Sequence, residues 1–398
     1  MKTNLIYILG MMCLSGTVSA QTTVNYTEFE QKVLDYSQTL KQSVSQRTAM
    51  QKAMKAAKTA FFPAVDATGS YQYRINKYDM DFGGMAVPME HDSYSAEVGV
   101  VQPIYAGGSI YHTYKASQIQ SQIADKSVDL TTDNLIYAAE ASYWGTAAQK
   151  EMYKTMCQYV EIISQLTKVL QDKYDDGYIS KTDLIQMQTR LKEAELQRSS
   201  SYQSYQIALQ NMNVLMGLEP DKEVGLVDSI FVELPLPAYV GADAALNVRP
   251  DYAISQLDVD YQKRQVKLAA AKYNPSLSIG FKETWGTQML NISGETMFNS
   301  NVYASVKLPL FHWGARFKST AAQKAILLGK QYALQDKQDQ ITKEVAKAWT
   351  SLTENTRQID IAKENCKLAE ENLDLNTFSY TEGRPVSYTH LTLPTTSR

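Results

Sequence analysis

Two hydropathy rhythms take turns along this chain. The run from Thr27 to Phe62 is polar and rich in Ala, Gln and Lys, and Thr27 and Glu30 have capping-box spacing, so the pattern predicts a helix stopped by Pro63. The period then drops to two. Val65, Ala67, Tyr71 and Tyr73 alternate with Asp66, Thr68, Ser70, Gln72 and Arg74, as in a half-buried strand. After a loop rich in Gly, Asp and Met, a returning strand places Ala96, Val98 and Val100 on one face and Ser95, Glu97 and Gly99 on the other. No proline occurs between Pro103 and Pro220, and Gly177 is the only obvious turn. One helix is therefore expected from about Gly108 to Tyr174, on the order of 100 Å long at 1.5 Å per residue. Its partner carries a coiled-coil seam at Leu184, Met187, Leu191 and Ala194, broken at Arg198 and Ser201 and resumed at Tyr205, Ala208, Met212 and Leu215.

The whole order then recurs. AAKTAFFPAVDATGSYQYR, from Ala56, returns in outline as LAAAKYNPSLSIGFKETWG, from Leu268, with Pro63 and Pro275 at an offset of 212. VVQPIYAGGSI returns as VKLPLFHWGAR, pairing Pro103 with Pro309 and Gly108 with Gly314 at an offset of 206, and YDDG at Tyr174 returns as YTEG at Tyr380 with the same offset. The halves are thus one unit used twice. Strand parity is kept, with Leu277, Ile279 and Phe281 on the way out and Val302, Ala304, Val306 and Leu308 on the way back. The expected organisation is a first repeat over 21–217, an inter-repeat linker over 218–245 and a second repeat over 246–385.

Neither half can satisfy itself. A single narrow seam on so long a helix pair cannot form a globular core, and two hairpins supply four strands where a closed barrel needs about eight or more. An open sheet would leave edges that lipid cannot satisfy. The pattern therefore asks for several chains sharing one barrel. Tyr71, Tyr73, Phe281 and Trp285 fit a lipid-facing or interface surface, though strands favour aromatics in any setting.

Composition narrows the setting. Residues 1–20, with Lys2, an apolar core from Leu5 to Leu14 and Val18-Ser19-Ala20, read as a secretory signal peptide; a membrane anchor is the rival, but that core is short of the roughly 20 residues a spanning helix needs. The formal charge is −3, and −4 once Lys2 leaves, which gives no reason to expect nucleic acid as a partner. Cys157 and Cys366 fall in helical stretches and read as small buried residues. His91, His112 and His312 lie apart, without metal-ligand spacing, and no nucleophile elbow or phosphate loop is present. Neither an enzyme nor a cofactor or metal site is expected.

The order helix, FFPAV, strand pair, QPIYAGG, long hairpin with YDDGYIS at its tip, then ALNVRPDY opening a second copy, resembles the TolC-type outer-membrane efflux proteins over essentially all of 21–384. The resemblance implies an α+β membrane protein: a homotrimer with a shared twelve-strand β-barrel in outer-membrane lipid and a long α-helical coiled-coil tunnel in the periplasm. It implies a passive duct for efflux or type I secretion, partnered by a periplasmic adaptor and an inner-membrane pump. A periplasmic coiled-coil adaptor is the alternative, but such a protein would show one hairpin framed by compact β-domains. The resemblance further assigns the tip, Tyr174, Gly177, Tyr178, Ile179, Ser180 and Gly383, to adaptor docking, and Asp183 and Tyr380 to a latch closing the aperture. Asp183 also has capping-box spacing from Ser180, so it has a purely structural reading. Pro103, Gly107, Gly108, Pro309 and Gly314 are expected to make the strand-to-helix turns. Beyond Pro385, residues 386–398 resemble a translated sequencing adapter, so the last helix demanded by the repeat is expected to be truncated.

Overall fold

The computed structural model describes residues 22–76, 79–81, 83–84, 86–88, 90–232, 235–287 and 295–381. In chain order these form β1 (Thr22–Val24), α1 (Tyr26–Tyr36), α2 (Gln38–Thr59), β2 (Ala64–Tyr73), β3 (Asp79–Asp81), β4 (Ala86–Pro88), β5 (Asp92–Ala106), α3 (Ser109–Asp175), α4 (Lys181–Leu215), β6 (Val224–Leu226), α5 (Ala242–Val248), α6 (Pro250–Ala271), β7 (Ser276–Gly286), β8 (Met297–Lys307) and α7 (Ala315–Thr381). Among the described residues no helix is long and apolar enough to cross a membrane. The expected signal peptide and the tail from 382 lie outside the described residues.

The first helical run differs from expectation at both ends and in its middle. Its N-cap is Asn25, whose side chain accepts from the Glu28 amide at 2.8 Å, so Thr27 lies inside α1 and is no cap. The Tyr26 amide, orphaned in the first turn, donates to Asp228 Oδ2 at 2.7 Å, and these two bonds start the helix ahead of Thr27. Ser37 interrupts the helix with a non-helical backbone, and its Oγ accepts from the Leu40 amide at 3.2 Å to begin α2. Helix α2 ends at Thr59, before the Phe61–Phe62 turn.

One compact unit comprises Met1–Arg47 and Val128–Glu233. The α3–α4 hairpin supplies Ala139, Tyr143, Ala147, Leu209, Met212 and Met216 to a core closed by Phe29 and Val33 of α1 and by Val24, Val224 and Leu226. The last three come from a parallel pair of short strands, with Thr22 opposite Val224 and Val24 opposite Leu226. Thus the stretch 218–245 is more than a linker: it holds β6 and the start of α5. Near the tip the seam alone buries only the small cluster of Leu170, Leu184 and Met187, whereas two strands and α1 laid across it build the larger core. Ser201, a break in the apolar pattern, is buried and keeps the seam's geometric register.

The second unit comprises Thr48–Ser127 and Leu234–Arg398. Its four-stranded sheet has the order β2-β5-β7-β8, antiparallel throughout. The register sets Val65, Val100, Phe281 and Val302 in one row across all strands, and sets polar Thr68, Glu97, Thr284 and Asn299 in another. Because side chains alternate, one sheet face is mainly apolar and the other polar. Helix α6 packs along α7, with Gln262 Nε2 donating to the Gln323 carbonyl at 3.1 Å. Cys157 is half-buried, whereas Cys366 is exposed, contrary to expectation, because residues 361–375 of α7 meet no cover among the described residues.

Candidate functional site

The hairpin tip is built by two interlocking caps. Helix α3 ends in a Schellman motif: the Tyr178 amide donates to the Lys173 carbonyl at 2.8 Å and the Gly177 amide to the Tyr174 carbonyl at 2.9 Å. Gly177 takes φ +79°, the left-handed conformation in which a side chain is strained. Three residues later Ser180 caps α4. Its Oγ accepts from the Asp183 amide at 3.2 Å, while Asp183 Oδ2 accepts from the Ser180 amide at 3.3 Å and its hydroxyl at 2.8 Å. Tyr174 and Ile179 turn inward onto Leu170, Leu184 and Met187, leaving Tyr178 outside and exposed. The result is a doubly capped apex presenting one aromatic ring among Asp175, Asp176 and Lys181. Of the second tip, the Tyr380 backbone lies in the last turn of α7, which ends at Thr381, and Gly383 lies outside the described residues.

Two strand-to-helix turns follow β5 and β8. Pro103 lacks an amide for the ladder, and the β5–β7 register shifts between Pro103 and Tyr105. Gly107 (φ +63°) and Gly108 (φ +89°) then turn the chain into α3. A Cβ at Gly107 would lie 2.6 Å from the Ala271 carbonyl oxygen, and Asn274 Nδ2 donates to the Gly107 carbonyl at 2.8 Å. In the second repeat Pro309 precedes a turn made by Trp313 and Gly314, both left-handed, with φ of +49° and +72°.

The sheet carries charge on both faces. On the polar face Glu97 pairs with Lys282 across β5 and β7. On the apolar face Glu283 is opposite Val98 and Ser300, and its carboxylate accepts a hydrogen bond from the Ser300 hydroxyl. Among the described residues no three His, Cys, Asp or Glu side chains are placed to hold a metal.

Two polar clusters were not singled out from the sequence. Ahead of α6, Arg249 donates to both Asp251 oxygens (3.0 and 2.8 Å) and to Glu344 at 2.6 Å, and Lys337 lies 2.8 Å from Asp251. Burial acts to raise the Asp251 pKa, but hydrogen bonds from Arg249 and Lys337 outweigh it and push the carboxyl down to about 2. The signal available was the arginine, the helix-starting proline and the aspartate in RPD. In the other unit Tyr143, fully buried, donates to Asp228 Oδ2 at 2.7 Å, and burial followed by that partner raises its pKa. Nothing in the local pattern marks Asp228 as the acceptor, because its donors are distant in sequence.

A family model described as outer membrane efflux protein matches residues 30–218 and 241–388. The alkaline protease secretion protein AprF of Pseudomonas aeruginosa is 21% identical over 278 residues, covering 68% of this chain and 57% of that protein. The chain thus aligns with somewhat over half the length of this curated relative. A crystal structure of CusC superposes with a TM-score of 0.78 at 14% identity, covering 92% of this chain and 84% of that one. The Campylobacter jejuni CmeC outer membrane channel gives a TM-score of 0.77 at 16% identity, with coverages of 91% and 77%.

Proposed function

The chain belongs to the outer membrane efflux protein family, and from that premise we propose that it is a passive duct in the outer membrane, carrying substrates delivered from an inner-membrane pump. The observation that carries this reading is the four-stranded sheet, apolar on one face and polar on the other, whose outer strands β2 and β8 each lack a second strand partner among the described residues. Unpaired strand edges are not tolerated in hydrocarbon. Three copies would close twelve strands into one barrel with the apolar rows toward lipid and the polar rows toward water. AprF is by name a secretion protein and CmeC an outer membrane channel, so both export routes fit the family. No catalytic step is part of this function.

In the same reading the first hairpin tip docks a periplasmic adaptor through its exposed apex at Tyr178, and Asp183 restrains the aperture. The preformed caps support a docking role, because an apex already capped loses little entropy on binding. The test is direct. Detergent-extracted protein should give a particle of three protomers in native mass spectrometry, remain with outer membranes after a salt wash, and conduct ions in a planar bilayer. A stable monomer released by salt would overturn the duct and favour a peripheral adaptor.

A further inference from the structure

The sheet is one strand pair used twice, so its internal seam is a template for the seam it lacks. β5 and β7 meet inside the chain. Positions of β5 recur 206 residues later in β8, and positions of β7 recur 212 residues earlier in β2. These are the two outer strands. The internal pairs Val100 with Phe281, Val98 with Glu283 and Ala96 with Trp285 translate into Val306 opposite Gly69, Ala304 opposite Tyr71 and Val302 opposite Tyr73. All of these positions lie on the mainly apolar face, so the transfer respects the alternation of the strands.

The ends of the strands carry the argument further. β5 continues to Ala106, and its residues beyond Val101 pair only with β7. Their repeat counterparts are Leu308–His312, which follow β8 and form no strand. Leu310 is 89% exposed there. Their template partner is the start of β7, whose counterpart is the start of β2, and within one chain that lies at the far edge of the sheet.

At the turn beyond, Gly107 closes tightly on Asn274 and Ala271. The repeat puts Trp313 in the place of Gly107, and Phe61 and Phe62 in the places of Tyr273 and Asn274. Trp313 keeps the left-handed backbone, which bulky residues rarely adopt, and is 85% exposed, with Phe311 against it at 4.9 Å. Phe62 is 60% exposed at the opposite edge. A strained, uncovered tryptophan and an uncovered phenylalanine thus occupy the two halves of a contact that glycine and asparagine make inside the chain.

We propose that Trp313 of one copy packs on Phe61 and Phe62 of a second copy, an aromatic key that closes the β8–β2 seam where the internal seam uses glycine and asparagine. The inference rests on the shared-barrel reading. With Cys157→Ser and Cys366→Ser as background, Phe62→Cys together with Trp313→Cys should give disulfide-linked oligomers of the full chain on oxidation, and neither cysteine alone should. Trp313→Gly restores the first-repeat residue and relieves the backbone, so folding of the protomer is spared. The oligomer should nonetheless dissociate at a temperature lower by roughly 3 °C or more. Phe62→Ala should act alike, the double variant should lose little beyond either single, and Trp313→Phe should restore most of the loss. If the oligomer forms but shows no cross-link and additive effects, the aromatics face lipid and this inference fails while the barrel stands. If no oligomer forms at all, the barrel reading fails and takes this inference with it.

Discussion

Asp251 shows how much one residue can hold and how little of that is written locally. Its carboxylate gathers Arg249 from its own helix start and Lys337 from α7, while Arg249 reaches on to Glu344. Because the folded pKa lies near 2, below an unfolded value of about 3.9, the network stabilises fully above about pH 4 and loses its contribution as pH falls toward 2. Asp251→Asn should therefore lower the thermal midpoint at pH 7 and converge with the parent protein near pH 2, as scanning calorimetry would read. Arg249→Ala should cost about 1–2 kcal/mol, discounted because the guanidinium is one-third exposed. The RPD tripeptide is visible in the sequence. The part played by Lys337 and Glu344 is not, since their role depends on which face of α7 meets α6, and a polar helix without strong periodicity does not announce it.

At the scale of the element, the alternation of periods locates the long hairpin helices and the four strands of the main sheet, but it runs α1 and α2 together across Ser37. Strand parity is a strong signal because a slip of one residue would move every apolar side chain to the wrong face. Helix starts were harder. Thr27 and Asn25 are both acceptable caps, and the decision falls to Asp228, roughly two hundred residues away, which binds the Tyr26 amide. At the tip the local signal was sufficient, and Ser180 and Asp183 form the expected capping box. Reversing the charge at Asp183 removes that cap and places a cation at a helix N-terminus, so the start of α4 should lose about 1 kcal/mol. A role in holding the aperture shut predicts something else: intact trimers with higher single-channel conductance. A fall in the thermal midpoint with conductance unchanged would leave Asp183 as a cap alone.

For the whole molecule, the sequence leads to the expectation of several chains sharing one barrel, because four strands and a narrow seam cannot close on themselves. It did not disclose the small parallel pair β1–β6, since three-residue strands carry too few positions for a period to show. That pair has a bearing on time as well as on packing. Thr22 waits for Val224, and Tyr26 for Asp228, so strand β1 can find its place only once residues some two hundred positions further along the chain are available to it. Until then Val24, Phe29 and Val33 have no cover and are candidates for chaperone capture. Long-range pairings of this kind form slowly. Pulse-labelled hydrogen exchange during refolding should show β1 and β6 amides gaining protection together, after the α3–α4 hairpin; early protection of β1 would count against that order. A segment whose partners lie some two hundred residues further along is then among the last to settle, and the rate at which those partners are supplied sets how long it must be guarded.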